Sequence, residues 1–202
     1  MQGVLTRAGP RLARAVALGV VLALAAGCAM TPVAEQPTVG AVDLARFMGH
    51  WYVIAAIPAS AEAEAYNAVE TYRLNDNGTI ATTYRFRDGG FDGRVRCFHP
   101  KAFVRDTQTR AEWGMQFFWP IRLDYRVIYL DASYTVTMIG RNKRDHAWIM
   151  ARSPSLAEER LEPLVEQLRA QGYPVEALRR VPQRWDAGGY ASLPAAERCA
   201  RT

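Results

Sequence analysis

Histidine and cysteine are scarce in this chain, with three of each among 202 residues. None of the histidines (His50, His99, His146) stands in a nucleophile arrangement, and there is neither a glycine-rich phosphate loop nor a metal-spaced cluster. These absences argue against an enzyme and predict no cofactor and no metal. No basic helix and no pattern of stacking residues with lysines supports a nucleic acid partner. The net charge of +5 falls to +2, 22 basic residues against 20 acidic, once residues 1–27 with Arg7, Arg11 and Arg14 are set aside. No apolar run is long enough for a membrane span. The longest, Ala15 to Ala26, follows the three arginines in the layout of a secretory signal. Internal repeats and low-complexity tracts are also missing.

The apolar run ends in Leu24-Ala25-Ala26-Gly27-Cys28, which resembles the lipobox cut before a diacylated cysteine. On this reading residues 1–27 are a lipoprotein signal and Cys28 is the lipid anchor. Residues 28–40 form a flexible tether with Pro and small residues, and Ala29 favours delivery to the outer membrane, periplasmic face. Three acyl chains bury far more methylene than the single chain that binds membranes marginally. Cleavage at a plain small-residue site, releasing a soluble periplasmic protein, is the alternative. An exported chain meets an oxidising compartment, so Cys97 and Cys199 are expected to be bridged, although their spacing alone leaves two free thiols open.

Residues 51–150 show no helical period. Short runs rich in aromatic and β-branched residues alternate with turn signals about every ten residues, which argues an antiparallel sandwich or barrel. Strands are expected near 50–58, 67–75, 79–87, 94–104, 110–118, 125–131, 134–140 and 146–152, with a hairpin turn at Asn75-Asp76-Asn77-Gly78. After Arg152 the period changes. Leu156, Leu161, Leu164, Val165 and Leu168 predict one amphipathic helix over about 155–171, with Ser155 and Glu158 as a capping box and Gly172 as C-cap. An extended piece (Val175 to Val181) follows, and the tail 186–202 reads as poorly ordered apart from Cys199.

Three motifs then fall in register. Gly49-His50-Trp51 matches the Gly-x-Trp that opens the lipocalin barrel, Asp124-Tyr125-Arg126-Val127-Ile128 resembles the family's second motif, and Arg152 occupies the place of the third. Phe117-Phe118-x-Pro120 and Trp148-Ile-x-x-Arg152-x-Pro154 are similar to the bacterial outer-membrane lipocalin group; Leu123 and Ile128 depart from the family's threonine and tyrosine. The resemblance covers 41–185. It implies an all-β fold: an eight-stranded antiparallel up-and-down barrel with one C-terminal helix outside. Gly49, Trp51 and Arg152 would form its floor, and one fatty acid, lysophospholipid or similar amphiphile would occupy its interior.

Period-two alternation assigns inward faces. Trp113, Met115 and Phe117 share a face, as do His146, Trp148 and Met150, Tyr125, Val127 and Tyr129, and Phe98, Pro100 and Ala102. Cys97 then points outward, where a bridge from the tail could cross the barrel wall. Family register turns Glu70 and Tyr72 inward, and Tyr84 is assigned inward on the third strand, where the parity is less clear. Glu70, Tyr72, Tyr84, Phe98, Trp113, Met115, Phe117, Tyr125, Val127, His146 and Trp148 are the candidate ligand-binding residues. Glu70 is expensive on an inward face unless paired or protonated, and would orient a ligand head group with Tyr72, Tyr125 or His146; a register slip would leave it solvated instead. The rim carries an apolar tip, Phe118, Trp119 and Ile121, beside Arg122, Arg141, Lys143 and Arg144, suited to a membrane surface or simply to a solvated basic loop. Competing readings are a pigment binder with His146 as axial ligand, an enzyme using Glu70 and His146 together, and a filled structural barrel. A homodimer is left open.

Overall fold

The computed structural model describes residues 34–199 together with Gly3. The expected signal segment, apart from Gly3, and the expected anchor Cys28 lie outside the described residues. Strands β1 (Gly49–Ile57), β2 (Ala65–Leu74), β3 (Thr79–Asp88), β4 (Val95–Phe98), β5 (Lys101–Val104), β6 (Glu112–Phe118), β7 (Ile121–Leu130), β8 (Val136–Gly140) and β9 (Ala147–Ala151) pair antiparallel with their neighbours. Pairing of β1 with β9, Tyr52 opposite Ala151 and Ala56 opposite Trp148, closes the sheet. The expected fourth strand 94–104 is broken at His99-Pro100, because proline cannot donate to the ladder. Its halves β4 and β5 both pair with β3, so the barrel has eight staves, up and down.

Alternation produces two apolar layers. One fills the barrel with Phe47, Trp51, Tyr72, Ile80, Phe86, Trp113, Val127 and Met150. The other lies outside, where Ile54, Ile128, Val136, Met138 and Ile149 meet Leu161, Leu164 and Leu168 of the C-terminal helix. A short α1 (Leu44–Phe47), capped by Asp43, plugs the barrel's lower end with Phe47. Helix α2 spans Glu158–Ala170 and starts later than expected, without a side-chain cap. The expected capping box is absent because Ala157, not Ser155, is the N-cap, and the Glu158 carboxylate accepts from Arg180 instead. Its other end is as expected: Gly172 sits at φ +85°, and Tyr173 N–H donates to the Leu168 carbonyl at 3.1 Å, closing a Schellman turn.

The described segments on either side of the barrel, 35–40 and 179–199, are more ordered than their composition suggests. Arg126 points outward on β7 and collects Glu35, Glu112 and Asp124 at 2.8–3.2 Å, while Val39 N–H donates to the Val127 carbonyl. Residues 35–40, expected to belong to the tether, are therefore held against the barrel. The extended piece after α2 divides into a 3-10 turn (Val175–Ala177) and β10 (Arg179–Arg180), which pairs with the upper half of β1. Gln183 bridges the Val53 and Ala68 carbonyls, so residues 179–184 fill the gap where β1 and β2 part. The tail, expected to be poorly ordered, packs on the wall. Tyr190 is buried with its N–H on the Tyr52 hydroxyl, Arg85 beneath it donates to the Glu197 carbonyl, and Cys199 is bridged to Cys97.

Candidate functional site

The lower end of the barrel is closed by a single cation. The Arg152 guanidinium lies 3.8 Å above the Trp51 ring and donates to the carbonyls of Arg46, Phe47, Met48 and His50 at 2.8–3.0 Å. Three of those carbonyls end α1, where the helix dipole favours positive charge. Trp51 Nε1 donates to the Phe47 carbonyl at 2.9 Å. Gly49 is in the left-handed region at φ +96°, and a Cβ there would stand 3.2 Å from Arg152 Nη1. With no carboxylate beside it, burial lowers Arg152 to about 10, still charged at neutral pH.

Above this floor Trp113 stacks on Tyr125 at 5.3 Å, and Tyr125 on Trp148 at 6.4 Å. A cavity of about 390 Å³ opens over that stack, within the range of small-molecule sites. Its walls are Tyr84, Phe98, Met115, Phe117, Tyr125 and Trp148, with Glu62, Glu70, Thr82, Asp124, Arg141 and His146 as the polar interruptions; Asp124 accepts from Arg126 Nε at 3.2 Å and from Asn142 N–H at 2.6 Å. Thr82 Oγ1, Arg141 Nε and His146 Nδ1 are buried without a hydrogen-bond partner among the described residues.

Two of the cavity's carboxyls are held by hydrogen bonds from its aromatic walls. Glu70 pairs across the ladder with Trp51, accepts from the Tyr125 hydroxyl at 3.2 Å, and Tyr125 is bonded in turn to Tyr72. Glu62 enters from the β1–β2 connection and accepts from Trp148 Nε1 at 3.3 Å and from Ala59 N–H at 3.0 Å. Burial, and then the charge of Glu62, push Glu70 up to about 8 against the hydrogen bond from Tyr125. Burial first, then Glu62 and Glu70 for Tyr84 and Glu70 alone for Tyr125, raise these two hydroxyls well above their ordinary value. At neutral pH Glu70 is thus a neutral acid in an apolar chamber, whereas Arg141 and His146 stand where β8 ends and β9 begins, at the mouth.

The family model of the lipocalin-like domain matches residues 42–183, from just before α1 to the segment that seals the barrel wall. The chain belongs to the lipocalin family. Temperature-induced lipocalin-1 of Arabidopsis thaliana is 30% identical over 164 residues, covering 76% of this chain and 86% of that protein. The outer membrane lipoprotein Blc of Escherichia coli K12 is 28% identical over 156 residues, with the same coverage of each. Among solved structures, insecticyanin of the tobacco hornworm Manduca sexta superposes with a TM-score of 0.58 at 14% identity, covering 77% of this lipocalin and 86% of that chain. Lobster apocrustacyanin A1 gives 0.56 at 10%, covering 76% and 93%.

Of the candidate ligand-binding residues, Glu70, Tyr84, Phe98, Met115, Phe117, Tyr125, His146 and Trp148 line the lipocalin cavity. Tyr72, Trp113 and Val127 do not. They lie below it, where the side chains of opposite staves meet and fill the barrel. The enzyme reading paired Glu70 with His146, but the hydrogen bond of Glu70 goes to Tyr125. Sequence reasoning missed Glu62, whose inward turn depends on a 3-10 turn (Ser60–Glu62) in the connection between the first two strands. At the rim Phe118, Trp119 and Ile121 are 77%, 86% and 61% exposed, which leaves an apolar hairpin tip in water. The rim cations are partly engaged: Arg122 covers the Phe103 ring at 3.5 Å, Arg141 lies 3.4 Å from Asp145, and Arg144 donates to the Gln171 carbonyl, leaving Lys143 exposed. Among the described residues no helix is long and apolar enough to cross a membrane.

Proposed function

We propose that this lipocalin is a binding protein, not an enzyme, that holds one fatty acid or lysophospholipid with its tail inward and its anionic head at the mouth. The observation that carries the reading is the position of the unpartnered polar atoms. Three of the four among the described residues belong to Thr82, Arg141 and His146, all on the wall of one apolar cavity. A head group that accepts from Arg141 Nε and engages His146 Nδ1 would satisfy groups whose burial otherwise costs about 1–3 kcal/mol each. The charge of Glu62 opposes an anion beside Glu70, which favours a head group held at Arg141 and His146 instead.

The names of the curated relatives, outer membrane lipoproteins among them, support a place in the cell envelope. Together with the lipobox-like run ending at Cys28 they support an acyl anchor in the outer membrane, with storage or transport of lipid as the role. The exposed Phe118, Trp119 and Ile121 beside Lys143 support an open end that meets the bilayer surface. Solvent extraction of the folded protein with mass spectrometry, alongside displacement of a fluorescent fatty acid, tests the proposal. A fatty acid or lysophospholipid at near-equal stoichiometry is expected, with affinity falling roughly tenfold in Arg141→Ala. A clean extract with no displacement means a filled barrel, and a coloured extract means a pigment binder; either overturns the reading.

A further inference from the structure

A second concavity, of about 470 Å³, lies on the outside of the barrel wall and shares no charged residue with the ligand cavity. The strand register builds it. Arg73 on β2 pairs with Ala81 on β3, and Ala81 pairs with Lys101 on β5, so one row across the sheet reads Arg, Ala, Lys. The row below its neighbour reads His50, Thr71, Thr83, and Thr83 Oγ1 bonds His99 Nδ1 at 3.3 Å. Small side chains on the central staves make the floor of a groove, and long cations stand at its margins. Strands about 4.8 Å apart put the two margin residues roughly 10 Å from each other.

The C-terminal tail supplies the third side. Tyr190 lies against His50 and takes a hydrogen bond from Thr71, and its own hydroxyl donates to the Arg198 carbonyl at 3.0 Å. Arg198 immediately precedes Cys199, whose bridge to Cys97 on β4 fixes the backbone there, and the Arg198 guanidinium lines the groove while donating to the Ala191 carbonyl at 3.1 Å. No aspartate or glutamate lines this space, and Arg73, Lys101 and Arg198 form no ion pair among the described residues. The positive charge is felt locally: burial, then Arg152 and Arg198, hold His50 below its ordinary value.

We infer that this groove is a binding site for a phosphate ester, the headgroup of an anionic phospholipid or a free phosphorylated metabolite. Three permanent cations around a small-residue floor match a phosphate, which carries about one negative charge and two terminal oxygens as a diester headgroup, and up to two charges and three terminal oxygens as a monoester.

Calorimetric titration of the full chain in neutral detergent distinguishes the sources. Glycerol 3-phosphate is the free-ester probe, and dihexanoyl phosphatidylglycerol against dihexanoyl phosphatidylcholine is the headgroup probe. Binding of glycerol 3-phosphate, weakened at least tenfold in Arg73→Gln/Lys101→Gln, supports a metabolite site. Binding of the phosphatidylglycerol alone, with the same loss, supports a lipid headgroup. The exchanged variant Arg73→Lys/Lys101→Arg keeps the charge and retains binding within about twofold, which separates recognition from damage to the wall. Arg198→Ala, or reduction of the Cys97–Cys199 bridge, weakens binding several-fold. Absence of binding by both probes, or affinities unchanged in Arg73→Gln/Lys101→Gln, overturns the inference.

Discussion

The carboxyl of Glu70 has a hydroxyl for a partner and no cation, and the direction of its shift carries a thermodynamic consequence. Its acidity is ordinary in the unfolded chain, near 4.5, and moved up to about 8 in the barrel. Folding therefore takes up a proton between those values. The stability this contributes is full below about pH 4.5, declines through the window up to about 8, and is gone above it. Urea unfolding at pH 5, 7 and 9 should show a loss on the order of 3 kcal/mol across the range, and Glu70→Gln should flatten it while raising stability at pH 9. Parallel profiles for the two proteins would refute a buried neutral acid. Arg152 illustrates the opposite economy, since its planar fork reaches several carbonyls and a ring at once. Arg152→Lys keeps the charge and loses the fork; a drop of about 2–3 kcal/mol in unfolding free energy is expected.

At the scale of the element, the tail is an added wall rather than a loose end. The Cys97–Cys199 bridge closes a loop of 102 residues and holds Tyr190 and Arg198 in place. Cys97→Ser/Cys199→Ser should cost about 3–5 kcal/mol by the chain-entropy scale, read from the shift in denaturation midpoint. Loss of less than 1 kcal/mol would show that packing of Tyr190 alone secures the tail. The strands were legible because alternation and turn residues are local signals: Trp113, Met115 and Tyr125 do face inward, and Gly172 does end the helix. The depth of a residue along the barrel axis is not a local signal, which is why Tyr72, Trp113 and Val127 looked like cavity wall and lie beneath it. Glu62 escaped notice for a related reason, because an inward-folding loop is defined by what it meets, Trp148, and not by its own pattern. Order in residues 35–40 and 186–199 rests on long-range partners, Arg126 and Arg85, that composition does not reveal.

For the whole molecule, two features of opposite ends must be read together: a closed floor under Trp51 and Arg152, and an open end tipped by Phe118, Trp119 and Ile121. A tail-inward ligand enters only from that open end, so the orientation of the barrel on a bilayer decides its access to lipid. Trp119→Ser/Ile121→Ser should reduce co-sedimentation with phosphatidylglycerol vesicles about tenfold, while the displacement affinity for a free fatty acid in solution stays within twofold. Unchanged partitioning would mean that the tip serves another contact. The position of β1 has a consequence of a different kind. Its upper half is flanked by β9 and β10, so the first stave of the barrel waits for residues near 150 and near 180 before its ladders are complete. A chain delivered from its N-terminus holds an unfinished sheet with raw edges until its last fifth arrives. So non-local a wall is expected to assemble slowly, with those edges open to pairing with other chains in the interval.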